Sequence, residues 1–187
     1  KQVFLNILDN AAKYGGDVAM VWIDAHPDIT LPGDPYPGYH AMAVTACMGH
    51  GDAKIVAELP AAFDPSKILF VGLRNWERGE IKARQHQYGI KHLTPEEVAA
   101  DSDALRAWLK SCGASKVVVH FDMDVLDPAE IVAAVGTDPD GMKIEAVIRV
   151  INDIAAEKEL VGLTVAEPMP RTAIRLRDML GRLPLLE

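Results

Sequence analysis

The sequence predicts an α/β fold in three layers, with helices on both faces of a mainly parallel sheet. Three observations carry this. Short apolar runs of strand length alternate with amphipathic helical stretches, the pattern of parallel strands joined by crossovers. The runs are apolar at every position rather than at alternate ones, as in strands covered on both faces. No internal repeat, low-complexity tract or linker interrupts the chain, so residues 1–187 read as a single domain.

Taken in order, Val3, Phe4, Ile7, Leu8 and Ala11 form a helical stripe that Gly15 ends. Val18 to Ile23 are six apolar residues in a row, the first strand. Residues 30–51 turn to loop, punctuated by Pro32, Gly33, Pro35, Pro37 and Gly38, with His40 and His50 embedded and a short helix over 41–48. Residues 67–73 make a second buried strand, followed by Arg74, Glu77 and Glu80. Thr94-Pro95-Glu96-Glu97 is a capping box that predicts a helix start, and Leu105, Trp108, Leu109 and Cys112 follow at helical spacing as core. A third strand begins over 116–120, and Asp127-Pro128 reads as the turn that closes it. Ile144, Val147, Ile148, Ile151 and Ile154 mark the next helix. Residues 160–166 form the fourth strand, ending in Glu167-Pro168, and a short helix over 172–180 closes the chain.

At 49% hydrophobic the chain can bury one substantial core. A net charge of -8 argues against nucleic acid or an anionic membrane as partner, and part of it is what bound cations would neutralise. Cys47 and Cys112 are too few for a disulfide framework, which points to a reducing cytoplasm. No apolar run approaches the roughly 20 residues of a membrane span, and no signal peptide is visible. The chain opens on Lys1, not Met, directly in a helical pattern, so an upstream part reads as missing.

The strand ends carry the chemistry. The first runs into Asp24, His26 and Asp28, which period-two alternation puts on one side of an extended backbone. The third runs into Asp122 and Asp124, and the fourth into Glu167. Burying two carboxylates and an imidazole together costs several kcal/mol unless a cation compensates. Oxygen ligands plus an imidazole suit Mn, Fe, Zn or Mg rather than a thiolate-loving ion. Taken alone, Asp24 to Asp28 equally suit an Asp-rich N-cap and turn. In parallel sheets, however, ligands collect at the carboxyl ends of strands, and four carboxylates with one His suit two divalent ions better than one.

Asp-Ala-His-Pro-Asp at 24–28, Phe-Asp-Met-Asp-Val-Leu-Asp-Pro at 121–128 and Gly-Leu-Thr-Val-Ala-Glu-Pro at 162–168 resemble the ureohydrolase family of arginase, agmatinase and formimidoylglutamase. The resemblance implies an arginase-like α/β sandwich and a dinuclear Mn2+ centre. In it Asp24 and Asp122 bridge the ions, Asp28 completes one site, and His26 and Asp124 complete the other. It also places a proton shuttle near His40, which reads His-Ala here where the family has His-Gly. Three departures stand out. The family's upstream Gly-Gly-Asp-His motif, whose His binds the first ion, has no match; Gly15-Gly16-Asp17 is followed by Val18 at the wrong spacing. The site fed by Asp28 is therefore expected to be the weaker one. Thr30 and Gly38 stand where arginases carry the Asn residues that hold the substrate carboxylate, whereas Glu77 and Glu80 align with acidic positions near its amino group. The stretch after Pro128 lacks the family's Pro/Gly-rich loop.

The sequence thus predicts a cytoplasmic, homo-oligomeric hydrolase that cleaves a linear C–N bond of a small guanidino or amidino compound and releases urea. Two ions sharing a water would deliver hydroxide to the planar carbon. Glu167 would hold the guanidinium, and His40 would pass a proton to the leaving amine, with Asp28 beside them. A formimidoylglutamase-type hydrolase and a metal-depleted, non-catalytic family member are the alternatives.

Overall fold

The computed structural model describes residues 2–36, 38–169 and 173–185, with the side chains of 2–5 and 173–175 outside that description. Five strands form one wholly parallel sheet: β1 (Val18–Ile23), β2 (Ile68–Val71), β3 (Lys91–Leu93), β4 (Lys116–Asp122) and β5 (Glu159–Ala166). Their order across the sheet is β3-β2-β1-β4-β5. From β1 the chain steps outward through β2 and β3, then returns to place β4 and β5 on the other side of β1. The reversal leaves an opening above the carboxyl ends of β1 and β4, the position where open α/β sheets bind ligands.

Both faces of the sheet are covered. Met20, Trp22, Phe70 and Val118 pack with Ile7 and Leu8 of α1 (Gln2–Tyr14), Val44 and Cys47 of α2 (Ala43–Cys47), and Ile81 of α4 (Gly79–Tyr88). Val21, Ile23, Val119 and Phe121 pack on the opposite face with Leu105 and Leu109 of α5 (Asp103–Ser111). The same cluster takes in Val147 and Ile151 of α6 (Ile144–Glu157) and Met179 of α7 (Ala173–Leu180). The short α3 (Ala53–Val56) lies between α2 and β2 in the chain, capped by the Asp52 side chain. Alternate residues of one strand thus feed alternate layers, which is why β1 and β2 carry no polar residue before they end. Among the described residues no helix is long and apolar enough to cross a membrane.

Several local expectations are corrected. The capping box forms, with Thr94 N–H donating to Glu97 (2.8 Å) and Glu97 N–H to Thr94 Oγ1 (3.4 Å), but only a turn follows. Arg149 takes the carbonyls of Val98 and Ala99, which a helix would need for its own ladder, and α5 starts later at Asp103. The second strand is shorter than 67–73, because Gly72 at φ +84° ends it. Strand β3, three residues long and partly exposed, has no apolar run to announce it. The fourth predicted strand is β5, the fifth in the chain. Val3, Phe4, Pro37 and Thr172, invoked above, fall outside the described side chains or residues.

Gly72 is the turn that lets the chain fold back under the site. A Cβ there would run into Val125 Cγ2 and Met142 Sδ, and the backbone is left-handed. Gly72→Ala is expected to destabilise the protein by about 2–4 kcal/mol through strain and overpacking. Chemical denaturation of both forms measures this, and a loss below about 0.5 kcal/mol contradicts it.

Candidate metal centre

The β1–β4 register sets Ile23 beside Phe121, so Asp24 and Asp122 leave neighbouring strands at the same height. Asp122 is in turn level with Ala166, the last residue of β5, and Glu167 follows it directly. Asp24, Asp122 and Asp124 are buried, and His26 and Asp28 are half-buried. The extended alternation expected through Asp28 does not persist: the backbone bends after Ile23, and Asp28 takes φ +49°. The bend still gathers the three side chains, since all of them line one cavity of about 430 Å³ with Asp122, Asp124 and Glu167.

Hydrogen bonds fix the carboxylates. Asp24 Oδ2 accepts from Trp22 Nε1 (2.9 Å), and its Oδ1 accepts from the His26 amide (2.7 Å). Asp124 Oδ1 accepts from the Ala25 amide (3.1 Å), tying the loop after β4 to the loop after β1. His26 Nδ1 lies 2.9 Å from Asp124, and its Nε2 lies 3.1 Å from Asp138. Arg74 binds the surrounding loops together: its guanidinium donates to the carbonyls of Gly72, Asp124, Val125, Asp138 and Pro139. Asn75 Nδ2 donates to Asp138 (2.7 Å), and Asn75 Oδ1 accepts from the Glu77 amide (2.7 Å). Strain collects here as well, because Asp28, Glu77 and Glu167 all sit at positive φ.

So many acids in one place shift one another. Burial, then the neighbouring Asp28, pushes Asp24 well above the usual carboxylate range. Burial also raises Asp28, and it raises Asp122 to about 7. For Asp124 burial is outweighed by its bond to His26, and the net shift is downward. Burial opposes the charge of His26, but Asp124 and Asp24 overcome it and raise the imidazole to about 11. The donor set fits a divalent cation: such an ion replaces the shared protons and satisfies two carboxylates and an imidazole at once. Two groups of three have ligand atoms within 4.8 Å of one another, Asp24–His26–Asp124 and Asp24–His120–Asp122. They share Asp24.

Most of the residues singled out in the sequence reach this cavity. His40 lines it, exposed, with Nε2 3.0 Å from the Tyr36 hydroxyl. Glu77 and Glu167 stand in its wall. Thr30 also lines it, but its hydroxyl is committed to the Ala41 carbonyl (2.7 Å) and so braces the loop. Glu80 is not brought there: it lies in the first turn of α4 and faces Arg78 Nε (3.0 Å). Asp28 is in the wall but belongs to neither group of three. Gly15-Gly16-Asp17 lies at the opposite end of β1, where Asp17 binds Ser115. Sequence reasoning missed His120, Tyr36, Trp76 and Asp138. Of these His120 alone had a signal, standing two residues before Asp122 and hence on the same side of β4.

A family model described as "Arginase family" matches residues 2–178. The chain is 29% identical over 166 residues to the arginase of Entamoeba histolytica, covering 86% of this chain and 55% of that protein. It is 30% identical over 171 residues to the N(omega)-hydroxy-L-arginine amidinohydrolase of Streptomyces lavendulae, covering 88% and 56%. The crystal structure of Entamoeba histolytica arginase in complex with L-ornithine superposes with a TM-score of 0.81 at 22% identity, covering 90% of this chain and 60% of that one. The chain thus spans little more than half the length of these relatives.

If these acids are ligands, Mn2+ at about 100 times its Kd should stabilise the fold by about 2.7 kcal/mol, read as a rise in Tm. Asp122→Asn should abolish most of that rise. Because the ion must displace protons, affinity should increase from pH 6 to pH 8. A Tm that ignores Mn2+ at every pH contradicts the assignment.

Proposed function

The chain belongs to the arginase family, and on that premise we propose that it is the catalytic part of a Mn2+-dependent hydrolase cleaving a linear C–N bond of a small guanidino compound, with release of urea. One observation carries the reading: Asp24, His26, Asp122 and Asp124 converge on one cavity whose walls are acidic and aromatic. Asp24, His26, Asp28, Asp122 and Asp124 are the residues assigned to hold the ions. Two such ions, when bound, polarise a shared water and supply the nucleophile at neutral pH.

The remaining work falls to the chain's own side chains. A guanidinium is planar and cationic, and a carboxylate matches its fork of N–H donors. Glu167, held at φ +56° on the cavity wall, is assigned that contact, which orients the central carbon over the metal ligands. The leaving amine must gain a proton. His40, at the cavity mouth and tethered by the Tyr36 hydroxyl, is assigned to deliver it. Trp76 and Ile81 cover the apolar part of a substrate and exclude water.

Charge decides substrate choice. Six carboxylates line the cavity (Asp24, Asp28, Glu77, Asp122, Asp124 and Glu167), and among its lining residues only His26 and His40 can be cationic. Among the described residues an α-carboxylate would find no Arg or Lys there, and the Thr30 hydroxyl is already committed. A cationic amine at the far end would be drawn to Glu77. Decarboxylated or shorter guanidino compounds should therefore be better substrates than L-arginine.

His40→Ala is expected to lower kcat by about 10² to 10⁴ while leaving bound Mn2+ unchanged. Equal loss of metal would reassign His40 as a ligand. Product analysis of the Mn-loaded protein should give urea, whereas formamide would indicate a formimidoylglutamase-type reaction. For specificity, kcat/KM for agmatine should exceed that for L-arginine about ten-fold or more. The reverse order would overturn the substrate choice and leave the hydrolase reading standing.

A further inference from the structure

His120 is a buried imidazole to which the proposed reaction gives no part. It stands in β4 two residues before Asp122 and is 3% exposed. Its ring stacks on Trp22, with centroids 3.7 Å apart and planes 19° from parallel. Trp22 in turn donates to Asp24 Oδ2, so one indole orients both the imidazole and the carboxylate shared by the two groups. Nδ1 of His120 lies 2.8 Å from Thr164 Oγ1, on the neighbouring strand at the same register. Thr164 is the one hydrogen-bond partner of the ring among the described residues. The threonine hydroxyl points on to the Val119 carbonyl (3.5 Å) and so is free to accept from Nδ1–H. That leaves the lone pair of Nε2 uncommitted.

A histidine kept only for packing would gain nothing from lying beside two carboxylates in a dry layer. Here a ring nitrogen and one oxygen each of Asp24 and Asp122 lie within 4.8 Å of one another. Ligand atoms about 2.2 Å from one ion can be no more than about 4.4 Å apart, so shifts of a few tenths of an ångström close the site. The group has the same composition as Asp24–His26–Asp124: one imidazole and two carboxylates. Each imidazole also has an outer partner at one ring nitrogen, His120 Nδ1 at Thr164 Oγ1 and His26 Nε2 at Asp138. Such outer partners are what fix a metal-binding histidine in place.

We propose that His120 is a metal ligand, binding one divalent ion together with Asp24 and Asp122 beside a second ion held by Asp24, His26 and Asp124. This rests on the proposed two-ion centre but not on the substrate. It adds an imidazole from within β4 itself to the ion held by Asp24 and Asp122. An imidazole in the set favours Mn, Fe, Co or Zn over Mg or Ca, which prefer all-oxygen sites.

Mn2+ alone is the probe. Calorimetric titration of the purified protein, with bound metal counted by elemental analysis, should give two ions per chain. His120→Phe keeps the stack on Trp22 and should lose one of the two, while His26→Ala should weaken the other. Thr164→Val leaves the ring in place, removes its anchor, and should weaken the His120 ion alone by about 10- to 100-fold. That variant decides the matter if His120→Phe fails to fold. Pulsed EPR of the Mn-loaded protein with 15N-labelled histidine should show two imidazole couplings in the wild type and one in His120→Phe. Two ions bound with unchanged affinity in both His120→Phe and Thr164→Val would overturn the proposal and leave the two-ion centre intact. One ion in the wild type, lost with His26→Ala but not with His120→Phe, would reduce the centre to a single site. No Mn2+ bound by the wild type would overturn both readings.

Discussion

Buried carboxylates at the ends of adjacent parallel strands cannot all stay ionised without a cation, and the architecture around them follows from that constraint. A wholly parallel sheet sends every strand's carboxyl end to the same edge. The reversal of strand order at β1 opens that edge just where Asp24 and Asp122 leave the sheet side by side. Burial raises Asp24, Asp28 and Asp122 together, and only Asp124, paired with His26, moves the other way. Packing them without a counter-charge would cost several kcal/mol per ion. A divalent cation would turn the same crowding into affinity, and in the proposed function the acidic cavity above it favours a cationic substrate.

Holding the acids in place takes more than strand register. Arg74 reaches carbonyls in the loops after β2 and β4, and its own amide donates to Ala25 in the loop after β1. One half-buried arginine, through its guanidinium and its amide, therefore ties three strand ends to a common frame. Asn75 extends the frame to Asp138 and Glu77. Positive φ at Glu77 is held by the bond its amide gives to Asn75. Geometry at the site thus belongs to the backbone of three loops rather than to any single motif.

Much of this was legible in the sequence, for a physical reason. Strands β1 and β4 are covered on both faces, so β1 is apolar throughout and β4 is interrupted after Val117 only by His120, and the acids that end them stand out. Helix α6 shows its buried face at every turn. What escaped lacks such contrast. Strand β3, Lys91–Leu93, pairs only along the sheet's edge and carries just one buried side chain. The capping box at Thr94 made its bonds and gave no helix, because Arg149, 50 residues away, claims the Ala99 carbonyl. Glu80 was placed near the substrate by resemblance, yet α4 turns it toward Arg78. His120 was read as one more buried strand residue. Only the register with β1 and β5 brings Trp22, Thr164 and the acids around it.

The central claim is that Asp24 is shared by two divalent ions. Anomalous diffraction from crystals of the protein grown with Mn2+ tests it most directly. Two anomalous peaks about 3.5–4 Å apart, each within about 2.0–2.6 Å of an Asp24 oxygen, are the result the structure leads us to expect. A single peak, or peaks that Asp24 does not touch, would contradict it.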